Sequence, residues 1–272
     1  MPHWLQLEVL HPGGHRTYSP VVVATPFAGV NDTGIDWCAD HDNNRMPEGT
    51  RADKAAGCEM LAATHPGQDA LHGRDEAARV RKLNKTGSGQ AGFDFTKICV
   101  SGEAAGEGKC PPNPALGDGP DSWACVRDNI TGLLWEVKAS SGPRSQSHTY
   151  SWHNTDAAAN GGLVGTPNAG KCQGSPCDSQ GYVKAVNAQG LCGGKDWRLP
   201  TRKELLSIVD NGRFQPAIDG GHFPNTPPAY FWTASPYADG LNAAWTVFFR
   251  YGEVYPAEKS KAHHVRLVRE AQ

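Results

Sequence analysis

Eight cysteines in glycine-rich, loop-like surroundings constrain this chain more than any other feature of its sequence. They are Cys38, Cys58, Cys99, Cys110, Cys125, Cys172, Cys177 and Cys192. An even number of cysteines in such a context predicts disulfides and an oxidising compartment. Short local loops favour the pairs Cys38–Cys58, Cys99–Cys110 and Cys172–Cys177 and leave Cys125 for Cys192, although sequence alone does not settle the connectivity. A zinc cluster is the alternative, but the chain has no C-x-x-C pair and no histidine at finger-like spacing.

Charge and hydropathy exclude several classes of partner. The formal net charge is -2 and charged residues make up 20% of the chain, so nothing favours nucleic acid or an anionic membrane surface. No apolar run approaches the length of a membrane span. The start, "MPHWLQLEVLHPGGHR", lacks the basic and then apolar pattern of a leader. We expect a secreted, cell-surface or phage-borne protein whose leader has been cut away. If instead the native chain starts here with reduced cysteines, the alternative is a cytosolic or viral protein.

Three regions of the chain differ in composition. Residues 1–30 alternate short apolar runs with proline and glycine, which predicts one or two strands in an N-terminal appendage. Residues 31–119 are polar and contain turn-like clusters such as "HPGQDALHGRD" and "GSGQAGFDF", so we expect long ordered loops packed on the domain that follows. A compact domain is predicted over residues 120–270.

The compact domain combines helix and strand patterns. "NITG" between apolar runs predicts a hairpin with Leu133 and Trp135 on one face. "DSQGYVKAVNAQG" predicts a short amphipathic helix that ends at Gly190. Thr201 and Glu204 have the spacing of a capping box for a second helix, and "YFWTASPY", "AAWTVFFRYGEVY" and "HHVRLVR" alternate as strands. Helices followed by a run of short strands predict an α+β fold with long ordered loops.

Several side chains of this domain have predicted structural roles. Three tryptophans in apolar motifs are expected in the core rather than in a sugar-stacking platform: Trp135, Trp197 and Trp232. Arg198 in "DWRLP" is expected to pair with a carboxylate such as Asp196 or Asp210 and so to tie the second helix to the sheet; the alternative is a plain surface charge.

The ordered motifs "CVRDNITGLLWEVK", "GLCGGKDWRLPTRKELLSIVD", "FWTASPYA", "AWTV" and "VRLVR" resemble the Lcl C-terminal domain family. With upstream segments such as "NDTGI" and "AGFDFTK", the resemblance covers most of residues 31–269. It implies a C-type lectin-like fold near the formylglycine-generating-enzyme branch. It also implies a binding module, since the named family member is a bacterial surface adhesin domain that binds sulfated glycans. Related domains are the variable proteins of diversity-generating retroelements, which are altered near their C-terminus.

The resemblance implies a ligand-binding, variable region at residues 232–269. Framework residues in it alternate with chemically mixed ones, as a stable scaffold with a changeable surface requires. The framework residues are Trp232, Ser235, Trp245, Val247, Phe249, Gly252, Val254, Lys259, Val265 and Leu267. The candidate ligand-binding residues are Tyr237, Asp239, Leu241, Asn242, Thr246, Phe248, Arg250, Tyr251, Glu253, Tyr255, Glu258, Ser260 and His263. Aromatic side chains beside arginine are typical of interaction hot spots. The alternative is an ordinary solvent-facing strand and loop without a ligand.

The predicted function is therefore non-catalytic binding of a protein or glycan on a cell surface, as a variable or receptor-recognition protein. One alternative is a fixed glycan-binding adhesin. The other is a modifying enzyme or oxidoreductase on a related scaffold, but no cysteine follows Cys192 to supply the thiol chemistry of the formylglycine-generating branch, and no catalytic motif is present. No cofactor is predicted, and the sequence does not indicate the oligomeric state.

Two groups of residues could in principle bind a metal, but the sequence favours roles without a metal for both. A calcium site would use Asp69, His72, Asp75 and Asp94, but their spacing is not that of a calcium loop, so turn and capping hydrogen bonds are the preferred role. His263 and His264 could join Glu253 or Glu258, but adjacent residues of a strand point to opposite faces. The sequence predicts no metal.

Overall fold

The computed structural model describes the strands within residues 1–30 and then residues 31, 33–38, 58 and 67–271. The chain divides into two compact units, Met1–Val30 and Asn31–Gln272. In the first unit, β1 (His3–Leu5) pairs with β4 (Val22–Ala24), and β2 (Glu8–Leu10) pairs with β3 (Arg16–Tyr18). Both pairs are antiparallel, so this segment forms four short strands where the sequence predicts one or two.

The second unit contains a helix that the sequence pattern does not predict. A 3-10 turn at Asp69–Leu71 leads into α1 (Gly73–Arg79), within the cluster that predicts loops. Tertiary hydrogen bonds hold it, because the buried Asp75 carboxylate accepts backbone N–H groups from Gly34 at 2.9 Å and Gly92 at 2.6 Å.

A four-stranded antiparallel sheet has the order β11-β7-β6-β5. Its strands are β5 (Phe95–Cys99), β6 (Trp123–Asp128), β7 (Leu133–Glu136) and β11 (Val268–Glu270). The hairpin predicted at "NITG" is confirmed as β6–β7, with Asp128 Oδ1 accepting the N–H of Ile130 at 3.0 Å inside the turn. The sheet begins at Phe95, well before residue 120.

Both predicted helices of the compact domain are confirmed. In α2 (Ser179–Gln189), Asp178 caps the N-terminus by accepting the N–H of Gly181 at 2.7 Å, and Gly190 ends the helix with φ of 67°. In α3 (Arg202–Leu206), the capping box of Thr201 and Glu204 is complete. This helix is only five residues long, and the buried Ile208 and Val209 follow it.

Arg198 pairs with a carboxylate, as predicted, but with Glu204 rather than with either aspartate that the sequence suggests. The guanidinium forms a two-pronged pair with Glu204, at 2.8 and 2.6 Å, because the first turn of α3 brings the capping glutamate back over residue 198. Asp196 instead faces Arg269 at 3.5 Å, and Asp210 faces Arg213 at 3.1 Å.

A second antiparallel sheet has the order β10-β9-β8 and consists of β8 (Tyr230–Pro236), β9 (Ala243–Phe248) and β10 (Glu253–Glu258). The tail "HHVRLVR" forms a regular strand only at its end, in β11. The fold is therefore α+β with antiparallel sheets, as predicted.

The core lies on both faces of the four-stranded sheet. Leu133 and Trp135 pack into one buried cluster and Leu134 into the other. Trp135, Trp197 and Trp232 are fully buried, which confirms their core assignment.

All eight cysteines are paired as predicted, in four disulfides: Cys38–Cys58, Cys99–Cys110, Cys125–Cys192 and Cys172–Cys177. The Cys125–Cys192 bond ties β6 to the segment that follows α2. Within the described part of the chain, the helices are too short or too polar to span a membrane.

Candidate functional site

The three-stranded sheet exposes one face only at the end that holds Phe248, because the opposite face and the part of this face around Trp232 and Ala244 are buried in the core. Phe231, Val247 and Phe249 are fully buried on the inner side. The register places Tyr230 of β8 opposite Phe248 of β9, which in turn lies opposite Glu253 of β10. Since side chains alternate along a strand, these neighbours lie on the outer face.

Five ring side chains form a continuous group there, which we call the aromatic face: Tyr230, Phe248, Tyr251, Tyr255 and His263. Tyr230 and Phe248 are stacked, with centroids 4.2 Å apart and planes 13° apart. Tyr255 meets Tyr230 edge-on at 6.1 Å, Tyr251 meets Phe248 edge-on at 5.9 Å, and His263 lies 5.4 Å from Tyr230. Tyr251 and Tyr255 keep 48% and 43% of their surface exposed, so the group presents a large apolar area to solvent.

Charged side chains border the aromatic face. The Tyr255 hydroxyl donates to Glu253 Oε2 at 2.7 Å, and this hydrogen bond, with the glutamate charge, raises the pKa of Tyr255. The Arg250 guanidinium lies 5.2 Å from the centre of the Tyr251 ring. The border therefore offers one carboxylate and one guanidinium within reach of a ligand that covers the tyrosines.

Backbone pairing with Tyr150 fixes the position of His263 within the aromatic face. His263 and Tyr150 exchange two backbone hydrogen bonds at 2.7 and 3.0 Å, and the imidazole lies 4.8 Å from Trp232. Burial, and secondarily the charge of Lys261, lowers the pKa of His263 to about 4, so the ring is neutral at pH 7. His264 packs on the inner Phe231 at 5.2 Å, so the two histidines face opposite sides as predicted.

Four further candidates belong to the turn between β8 and β9, which we call the turn group: Tyr237, Asp239, Leu241 and Asn242. Leu241 is 61% exposed, and Asp239 and Asn242 are exposed as well. Tyr237 packs edge-on against Trp245 at 5.1 Å, and the Arg202 guanidinium covers the same indole at 4.5 Å.

The structure thus separates the predicted site into two parts. Glu258 of β10 lies opposite Ala243, at the end of β9 nearest the turn group, and Ser260 follows β10 in the chain. Phe248 lies at the opposite end of β9. Five residue steps separate Ala243 from Phe248, or about 17 Å along a strand. A ligand that touches both the aromatic face and the turn group must span that distance.

Thr246 does not reach the surface, although the sequence places it among the candidates. It is fully buried between its cross-strand neighbours Trp232 and Tyr255, and its hydroxyl donates to the Tyr255 carbonyl at 2.7 Å. Its role is to hold β10 on β9. Phe248 is half-buried rather than exposed, because it stacks on Tyr230.

Sequence reasoning missed two contributors. Tyr230 is central to the aromatic face, and alternation with Phe231 could have indicated its outward direction but not its pairing with Phe248. Lys259, predicted only as framework, is 2% exposed and donates to the carbonyls of Asn160 at 2.8 Å, Leu163 at 2.7 Å and Leu241 at 2.7 Å. It therefore holds the turn group against the loop around residue 160.

The aspartates considered for calcium accept hydrogen bonds from other groups of the chain. Besides the contacts of Asp75, Asp94 accepts the N–H groups of Thr86 at 2.8 Å and Gly87 at 2.7 Å, and Asp69 accepts the Thr33 hydroxyl. The predicted local role therefore fits Asp94, whereas Asp69 and Asp75 hold segments that are distant in the sequence. Across the described residues, no three acidic, histidine or cysteine side chains converge as metal ligands.

Comparison with known proteins gives one match. The family model for the Lcl C-terminal domain matches residues 124–269, which is more than half of the 272-residue chain. The matched range runs from β6 to β11 and includes the whole three-stranded sheet. No curated protein and no solved structure matches the chain.

Proposed function

Because the chain belongs to the Lcl C-terminal domain family, we propose that it is a non-catalytic ligand-binding protein whose ligand covers the aromatic face and the turn group. The observation that carries this proposal is the exposure of Tyr251 and Tyr255 beside Arg250 and Glu253. Exposed tyrosines bury large areas on binding at a small cost in conformational entropy. The fold we propose is the C-type lectin-like fold of the formylglycine-generating-enzyme branch.

The size of the surface favours a macromolecular ligand. Its two parts lie about 17 Å apart along β9, which is longer than a single sugar ring. A protein on a cell surface fits this geometry best. The proposed role is therefore that of a variable or receptor-recognition protein, secreted, displayed on a cell surface or carried by a phage. Four disulfides are compatible with that location.

The arrangement of buried and exposed residues in the three-stranded sheet also suits a variable surface. The inner residues Val247 and Phe249 are fully buried and supply the packing, whereas Arg250, Glu253 and Tyr255 are exposed. Substitutions at exposed positions away from caps and strained turns usually change stability little. Such positions can therefore change while the sheet is retained.

A fixed glycan-binding adhesin is the second candidate, favoured by the same exposed tyrosines, since aromatic rings also stack on sugars. The gene sequence distinguishes the two. A variable protein requires a near-copy of the 3′ end that differs almost only at adenines, beside a reverse transcriptase gene. If both are absent, only the fixed adhesin is left.

The cysteines support a non-catalytic role. All eight form disulfides, and none lies in the three-stranded sheet or after it. The alternative of a modifying enzyme would need a reactive thiol or another catalytic group near the ligand surface.

A binding experiment tests the proposal. Glycan and cell-surface protein arrays are probed with the wild type, and each bound probe is titrated by surface plasmon resonance against the variant R250A/Y251A/Y255A. We expect at least a thirtyfold loss of affinity, corresponding to about 2 kcal/mol, a typical hot-spot value. Phe248 is left intact because its removal would also unstack Tyr230.

The control is L116A, which truncates an exposed apolar side chain outside the site. Both variants should keep the wild-type melting temperature within a few degrees. Equal affinities for the triple variant and the control would refute the proposed surface. Turnover of a bound probe would refute the non-catalytic role.

A further inference from the structure

An ion pair between Arg144 and Asp118 separates two cavities on the second unit. The first, of about 220 Å³, is lined by Ser140, Ser141 and Lys138 among others. The second, of about 330 Å³, is more apolar and is lined by residues such as Leu191. Since both cavities include Arg144 and Asp118 in their walls, opening the pair would join them into one cleft.

The two partners of this ion pair differ in their surroundings. The Arg144 side chain is 6% exposed, and its Nη1 donates to the Val137 carbonyl at 2.7 Å, which fixes the plane of the guanidinium. The Asp118 side chain is 66% exposed and lies in a loop. An exposed carboxylate contributes little to an ion pair of this kind, so a ligand with further contacts can replace it.

Buried charge near Arg144 is unbalanced. Lys138 pairs with Glu136 at 2.9 Å, and Arg266 donates to the Glu136 carbonyl at 2.6 Å. Lys138, Arg144 and Arg266 are thus three buried cations beside the single buried carboxylate of Glu136. A buried charge without a partner is costly, so the cluster attracts a second anion. Asp118 supplies it from the surface.

We propose that this cleft binds a small oxyanion group on Arg144, and that Asp118 occupies the same position when no ligand is bound. The planar guanidinium matches a carboxylate, sulfate or phosphate through two parallel hydrogen bonds. The serine hydroxyls of the smaller cavity add donors, and the apolar wall near Leu191 accommodates the rest of an organic anion. None of these residues belongs to the aromatic face or the turn group, so the site is independent of the proposed surface.

Substitution of Asp118 tests this site without disturbing the core. Succinate, sulfate and phosphate are titrated by calorimetry at constant ionic strength into the wild type, D118N and D121N. D121N removes the same charge from an exposed position three residues away. D118N should bind at least one probe about tenfold more tightly than the wild type, because the internal competitor is lost. D121N should bind like the wild type.

The probes that bind D118N more tightly than the wild type identify the chemical class of the oxyanion. Tightening for succinate alone assigns a carboxylate with an aliphatic body, whereas tightening for sulfate or phosphate assigns a tetrahedral group. No saturable binding to D118N, or equal tightening in D118N and D121N, would overturn the proposal.

Discussion

Replacing Lys259 by methionine should destabilise the domain because one ammonium group holds two loops together. Its three hydrogen bonds end on the carbonyls of Asn160, Leu163 and Leu241, at 2.7 to 2.8 Å. Methionine has an unbranched side chain of similar length but donates nothing, and it also removes the Nζ that lies 4.4 Å from the centre of the Trp152 ring. Hydrogen bonds to charged groups contribute about 1.5–3 kcal/mol each.

The three losses should not add fully. Leu163 and Leu241 lie in exposed segments where water can replace the ammonium, whereas Asn160 is buried. We therefore expect a loss of about 3 kcal/mol in the free energy of unfolding. For a domain of this size that corresponds to a decrease of roughly 6–12 °C in melting temperature.

Urea unfolding followed by tryptophan fluorescence, with the disulfides intact, measures this loss. The matched control is K261M, since Lys261 is 65% exposed and lies 3.7 Å from Glu258 in a surface pair. Such pairs contribute about 0–1 kcal/mol. Hydrogen exchange should also become faster around residues 160–163 and 240–242 in K259M alone. Equal destabilisation by K259M and K261M would refute the reasoning.

Three further perturbations have defined outcomes. His263 and His264 have pKa values lowered from 6.5 to about 4, mainly by burial, so the unfolded state binds their protons more readily. The urea midpoint should therefore fall as the pH drops from about 6.5 to about 4, and less steeply in H263N/H264N. The double substitution C125S/C192S opens a loop with a sequence separation of 67 and should cost about 4 kcal/mol, against about 2 for the disulfide with a separation of 5. G252A should cost at least about 2 kcal/mol by urea unfolding, because φ is 82° and a Cβ would lie 2.5 Å from a valine methyl.

Each of these outcomes can fail in a specific way. An equally steep pH dependence in the double histidine variant would assign the titration to other groups, and Asp210, whose pKa is raised to about 6, acts in the opposite direction. Similar costs for the two disulfides would show that loop length does not determine their contributions. A wild-type urea midpoint for G252A would show that the β9–β10 turn adapts to a side chain.

Local sequence patterns predicted the elements whose interactions are themselves local. The β6–β7 hairpin, the capping box of Thr201 and Glu204, and the end of α2 at Gly190 depend on residues only a few positions apart. The pairing of the cysteines also followed from local loops, because once three short pairs form, Cys125 and Cys192 are left for each other.

Prediction failed where a distant partner decides the structure. Nothing within the cluster around α1 indicates that Asp75 will receive backbone groups from Gly34 and Gly92. A different reason applies to Arg198, whose partner Glu204 is only six positions away but depends on how the chain turns into α3.

For the candidate site, the sequence by itself determined the alternation of inner and outer residues along the C-terminal strands, since that period is a property of the extended backbone. Tertiary structure alone decided which outer residues meet. Strand register joined Tyr230 to Phe248, buried Thr246, and placed the turn group about 17 Å from the aromatic face. Register and long-range hydrogen bonds such as those of Lys259 depend on pairings between distant segments, which no local pattern encodes.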